Sequence, residues 1–298
     1  MTGLETIAGR LSMSVPVLVL ALAAVGLGSG IASGLFGVGG AFLATPLLNV
    51  LFGVPYPLAV GSSLSFTIGA SASGWARHLR MRHVEPWCMG LLTVGSTVGV
   101  IGGAWLNRTL ARQLGGDVSK QYELVMHGLF VAMLAVTAIM VARVQPAEPG
   151  RRSFLQRVSL RPRIRLRAAG LAGVSVPGML LIGGSIGVAT GLLGIGGGVL
   201  LVPALILAVG LTAHQAVGTS LGVVMFSAIV GTVNYGLTGG VNLWVVMSLL
   251  VGSTFGVQIG AWLCSRLRQQ RLRRYFAALV LLVAATIALD IVRKLLGP

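Results

Sequence analysis

Charge is scarce in this sequence. Only 9% of its 298 residues are Asp, Glu, Lys or Arg, and just six are acidic, whereas a soluble globular domain is about one quarter charged. Water is therefore not the principal solvent of the chain. Cysteine is scarcer still: Cys88 and Cys264 are the two present. They are too few for a disulfide framework or a zinc-type cluster, and each reads as a small apolar filler near a helix end. The sequence offers no P-loop for ATP and no nucleophile with a base or metal cluster, as an enzyme would require.

What is abundant is apolar. The apolar share is 55%, and it gathers into stretches at 14–33, 58–76, 87–106, 122–142, 171–190, 215–235, 241–263 and 275–292. Several reach the roughly 20 residues a helix needs to cross a hydrocarbon core. The predicted fold is thus an all-α polytopic membrane protein in a lipid bilayer. A net charge of +16 would suit a nucleic-acid binder if it formed one face of a soluble domain. Here the basic residues fall in short segments between the apolar spans, where they mark the cytoplasmic side instead, so no nucleic-acid partner is expected. Arg10 and the apolar run behind it have the look of a signal peptide, but the first span has a counterpart in mid-chain and so belongs to the fold.

That counterpart is part of an internal repeat, exposed by sliding the chain against itself by 157 residues. GLFGVGGAFLATPLL from Gly34 then lies over GLLGIGGGVLLVPAL from Gly191, AVGSSL over AVGTSL, and GSTVGVIGGAWL over GSTFGVQIGAWL, without a gap. From Gly34 to Leu106, 28 of 73 paired positions are identical, against about one in ten for unrelated apolar stretches. Residues 1–142 and 171–298 read as two transmembrane repeats. The segment 143–170 between them, with eight arginines from Arg143 to Arg167 and with Pro146, Pro149, Gly150 and Pro162, reads as a cytoplasmic linker. Its arginines fix topology or attract anionic headgroups.

Each repeat has four to five transmembrane helices. If 41–57 and 198–213 also cross, the halves are inverted and 16 of the 22 basic residues fall on one side; if not, the halves are parallel and 14 do. The positive-inside rule favours inversion.

The chemistry is expected at the glycines. Gly34, Gly37, Gly39 and Gly40 precede Pro46, and Gly191, Gly194, Gly196, Gly197 and Gly198 precede Pro203. Such a cluster breaks one helix and starts another, and irregular backbone at membrane depth persists only where it is buried or lines a cavity. The N–H groups opening a helix attract anions, and two breaks at matching positions point to a transporter's substrate site. The candidate substrate residues are Gly37, Gly39, Gly40, Gly194, Gly196, Gly197 and Gly198 with the hydroxyls of Ser62, Ser63, Thr219 and Ser220. Close helix packing through small residues and hydroxyl cross-links is the competing reading of the same residues. A second hydroxyl set, Ser96 and Thr97 with Ser253 and Thr254, is a weaker candidate.

The spacing does not match a dinucleotide fingerprint. His127 reads as a lone histidine with one helical hydrogen bond, the alternative being a proton relay, and Asp290 as a partner of Arg293 and Lys294 one turn on. Asn234, Tyr235 and Gln258 have unlike counterparts in Arg77, His78 and Ile101, so they line a path in the second half alone.

The paired motifs GLFGVGGAFLATP and GLLGIGGGVLLVP, each followed by AVG[ST]SL, resemble the TauE/SafE family of sulfite-exporter-type transporters over nearly the whole chain. The resemblance implies a bacterial inner-membrane protein, without a tightly bound cofactor, that moves sulfite, thiosulfate or an organosulfonate or other organic acid. Ala41 stands where the second copy has Gly198. With no P-loop, the expected driving force is coupling to a proton or sodium gradient, or else facilitated flow. An intramembrane enzyme and a non-transporting scaffold or subunit are the competing functions.

Overall fold

A computed structural model of the chain describes residues 9, 14–117, 119–143, 154–157, 161–166 and 169–296. It is helical almost throughout, as the apolar runs predict. The first half contains α1 (Val15–Phe36), α2 (Ala41–Phe52), α3 (Tyr56–Arg80), α4 (Pro86–Gln113) and α5 (Lys120–Arg143). After a single turn, α6 (Phe154–Arg157), and two short strands, β1 (Arg163–Leu166) and β2 (Leu171–Ser175), the series recurs. It runs α7 (Val176–Leu193), α8 (Gly198–Ala204) with a π-helical extension at Leu205–Val209, α9 (Ala213–Gly236), α10 (Leu243–Arg266) and α11 (Gln269–Leu296). Among the described residues, seven helices are long and apolar enough to cross a membrane. α3, with 25 residues, is as long but richer in hydroxyls.

Two expectations need correction. The span 171–190 starts later, because 171–175 pairs antiparallel with β1, Ser175 opposite Arg163. Ser175 then caps α7 by accepting from the Gly178 N–H at 3.2 Å, and Pro177 in the first turn fits the fixed φ needed there. Arg77 and Arg80 belong to α3 rather than to a loop. Most of the arginine-rich linker, including Arg151, Arg152 and Arg167, lies outside the described residues; its described end is tied to the core by Ala169 N–H donating to Glu85 at 2.9 Å.

The two halves interlock. The largest interhelical contacts join α1 to α10 and α4 to α7, so the first helix of each half packs on a helix of the other. Glycines at every fourth position let these backbones touch. A Cβ on Gly252 would lie 1.8 Å from the Ala23 carbonyl oxygen, and one on Gly26 2.1 Å from that of Leu249. The register rises together: Gly26 meets Leu249 and Gly34 meets Val257, while Gly183 meets Leu92 and Gly191 meets Val100. Both pairs are therefore parallel. At the centre α3 packs on α9 in the opposite sense, Gly231 against Leu64 and Gly74 against Leu221. These two helices, which correspond under the 157-residue offset, run antiparallel.

The short helices double back. α2, 12 residues long, extends about 18 Å, less than the hydrocarbon core. It returns the chain to Pro55, which shares one end of the bundle with Asp117 and Gly239. The opposite end gathers three histidines: His83 lies 5.6 Å from His78 and 5.4 Å from His214, between ring centroids.

Candidate functional site

Both glycine clusters break the chain by the same backbone route. α1 ends on Gly37 and α7 on Gly194, each left-handed, with its N–H donating back to Ser33 or Thr190. Gly39 and Gly40, and likewise Gly196 and Gly197, also have φ between 71 and 80°, which only glycine adopts readily. Both breaks are buried and they abut. A Cβ on Gly198 would sit 2.5 Å from Val38 Cα, and one on Gly196 would lie 3.4 Å from Ala41 Cβ. The difference at Ala41 and Gly198 thus has a packing reason, since position 198 meets backbone. Thr67 of α3 and its counterpart Val224 of α9 flank both breaks, each with a methyl within 3.6 Å of the Cβ positions of Gly39 and Gly196.

The predicted hydroxyls Ser62, Ser63, Thr219 and Ser220 are all buried, and each makes a bond to the other half. Ser220 donates to the Gly37 carbonyl at 2.8 Å, and Ser63 reaches that of Gly194 at 3.5 Å. Ser62 accepts the Asn242 N–H and Thr219 that of Glu85, each at 3.0 Å, so each fixes the start of the other half's α10 or α4. The structure brings Ser63 and Ser220 to the breaks and sets Ser62 and Thr219 beside the loops. In the second set, Ser96 bonds Ser227 at 2.7 Å, while Ser253 and Thr254 turn to the Leu250 carbonyl of their own helix.

The second break is heavily cross-linked. Tyr235 donates to the Gly191 carbonyl at 2.8 Å, Asn107 to Leu192 at 2.7 Å, Tyr56 to Leu193 at 3.2 Å and Thr45 to Gly194 at 2.8 Å. Four successive carbonyls, left over where a helix ends, thereby gain side-chain donors. These donors come from α2, α3, α4 and α9, so sequence inspection linked none of them to this break.

Several further readings change. His127 is not a lone histidine, for its Nδ1 lies 3.5 Å from Asp290 Oδ2 across the α5 and α11 pair. Asp290 is accordingly an interhelical partner, and the side chains of Arg293 and Lys294 lie outside those described. Gln258 does not face the centre: it accepts from Arg77 at 2.9 Å and donates to Ser73 at 2.8 Å on an exposed face. Asn234 bonds the Val230 carbonyl of its own helix. Tyr235 lines a depression of about 410 Å³ together with Pro55, Arg108, Arg112 and Asp117 of the first half and Gly239 of the second. Cys88 and Cys264 are fully buried, which fits the reading of both as small apolar fillers.

The sulfite exporter TauE/SafE family matches residues 22–287. A "Probable membrane transporter protein" of Xylella fastidiosa strain Temecula1 is 30% identical over 280 residues, 91% of this chain and 95% of that protein. Another, YjnA of Bacillus subtilis strain 168, is 31% identical over 269 residues, covering 90% and 97%. No solved structure matches the chain. With a family match of that extent and relatives aligned almost end to end, the chain belongs to the sulfite exporter TauE/SafE family.

Proposed function

We propose that the chain is a secondary transporter of a small anion, built as two inverted repeats and residing in a bacterial inner membrane. One observation carries the reading: two glycine breaks at matching positions, buried and in contact with each other between the halves. Broken helices that meet at a repeat interface are the usual place for a solute in secondary transporters. The polar groups supplied there are hydroxyls and helix-opening N–H groups rather than cationic side chains, and neutral donors hold an anion loosely enough for release. Arg108 and Arg112 at the mouth of the depression raise the local concentration of anions before they enter. Sulfite, thiosulfate and short organosulfonates are the favoured cargo, on the family name and on this chemistry.

The antiparallel register of α3 and α9 supports inversion, because repeats related by an axis along the membrane normal would place equivalent helices parallel. Coupling to a proton gradient is assigned to the His127 and Asp290 pair, as ionisable groups within spans commonly mark ion pathways. Counterflow of labelled sulfite in proteoliposomes tests the cargo. Exchange of cations or neutral amino acids alone would sink the anion reading. Single cysteines placed at Arg80, Arg268 and Asp117 in a Cys88→Ser, Cys264→Ser background test topology. Inversion requires an impermeant thiol reagent to reach positions 80 and 268 from one side and 117 from the other; labelling of 80 and 268 from opposite sides requires parallel repeats.

A further inference from the structure

We infer that the substrate anion is held on one side of the interface only, at the start of α2, by the hydroxyls of Ser29, Ser33, Thr67 and Ser71. The inference rests on the anion-transporter reading and names its site. All four side chains are at most 1% exposed, and none of their hydroxyls has a hydrogen-bond partner among the described protein groups. A buried hydroxyl without a partner is disfavoured unless something else bonds it. The four lie as two i, i+4 pairs, on α1 and on α3, which put each pair on one helix face.

These faces converge on the first break. The Cβ position of Gly39 is 3.2 Å from Ser71 Oγ and 3.0 Å from the Thr67 methyl, and that of Gly40 is 3.1 Å from the Ser29 carbonyl oxygen. Ser33, the counterpart of Thr190, lies one turn beyond Ser29 on α1, and its carbonyl accepts the Gly37 N–H at 2.8 Å; the Cβ position of Gly40 also meets the Phe66 ring at 2.9 Å. Gly40 caps α2 with no side-chain acceptor, leaving the opening N–H groups of a 12-residue helix directed to the same space.

The second half lacks this lining. Ile186, Val224 and Ala228 replace Ser29, Thr67 and Ser71, and the hydroxyl of Thr190 is spent on the Ile186 carbonyl at 2.9 Å. Hydroxyl and N–H donors around a single point suit an oxyanion with several acceptor oxygens, such as sulfite or a sulfonate headgroup.

The test is a thermal-unfolding titration of the full chain, purified in detergent, with sodium sulfite, methanesulfonate and acetate at matched ionic strength. The double variant Thr67→Val, Ser71→Ala gives the first break the lining of the second. Its melting temperature without anion should equal or exceed that of the wild type, since no protein hydrogen bond is removed; Ser33→Ala is the single-site alternative should it not fold. Sulfite or methanesulfonate should raise the wild-type melting temperature, with an apparent Kd about tenfold or more weaker in the variant, as loss of hydrogen bonds to a charged ligand implies. Equal shifts in wild type and variants would overturn this site while leaving the anion reading standing. No shift with any anion in the wild type would overturn both.

Discussion

At the second glycine break, four successive carbonyls from Gly191 to Gly194 are bonded by Tyr235, Asn107, Tyr56 and Thr45. At the first, Ser220 serves the Gly37 carbonyl, and His78, the counterpart of Tyr235, lies by that of Gly34. The hydroxyls around the start of α2 are meanwhile without protein partners. The two breaks share one backbone plan, and their different surroundings make one a cross-linked wall and the other a polar recess. A repeated motif therefore does not imply a repeated role, because the motif fixes φ and ψ while neighbouring helices decide which polar groups are already occupied.

The strongest way to break this comparison is to fill both breaks alike. Alanine at Gly39 or Gly196 adopts a left-handed conformation at a cost of about 1–2 kcal/mol. At Gly39 the added Cβ also falls 2.4 Å from Val224 Cγ1, and overpacking adds about 1–3 kcal/mol. Gly39→Ala should thus destabilise by about 2–5 kcal/mol, and Gly196→Ala, with its nearest neighbour at 3.4 Å, by little more than the strain. Unfolding in detergent ranks the two; equal losses would mean that the breaks are packed alike.

Removing the cross-links should have the next largest effect. Asn107→Leu leaves the Leu192 carbonyl and the Tyr122 hydroxyl unpaired and should cost about 1–3 kcal/mol. Ser71→Ala at the other break should cost none while weakening transport. If Ser71→Ala proved the more destabilising, the division between wall and recess would be wrong.

Asp290→Asn is expected to leave the fold and substrate counterflow intact and to abolish stimulation of uptake or efflux by an imposed pH gradient. Retained stimulation would remove the His127 and Asp290 pair from coupling. The smallest effect concerns the end of the bundle where histidines replace the arginines of the depression. Burial, and next the neighbouring His214, hold the His83 pKa below its usual value. The unfolded chain then binds a proton at His83 near pH 6.5 before the folded chain does, so this contribution to stability is lost as pH falls below that value. His83→Gln should slightly flatten the decline in melting temperature between pH 7 and 5; an unchanged slope would place the titration elsewhere.

The sequence by itself determined the solvent, the long helices, the two breaks and their equivalence. These depend on composition and on short-range pattern: apolar length sets a span, three glycines within four residues set a left-handed turn, and a constant offset records duplication. The two glycine segments that the sequence paired, Gly37 to Gly40 and Gly194 to Gly198, also meet in space, the Cβ position of Gly198 lying 2.5 Å from Val38 Cα. Only the tertiary structure decided which hydroxyls are committed. Ser63 and Ser71 look alike along α3, yet Ser63 faces the Gly194 carbonyl, 131 residues away, whereas Ser71 faces Gly39 with no protein partner. His127 and Asp290 likewise meet through the packing of α5 on α11. A hydrogen bond depends on where distant helices place their carbonyls, and in a chain so poor in charge no long-range complementarity announces that placement in advance.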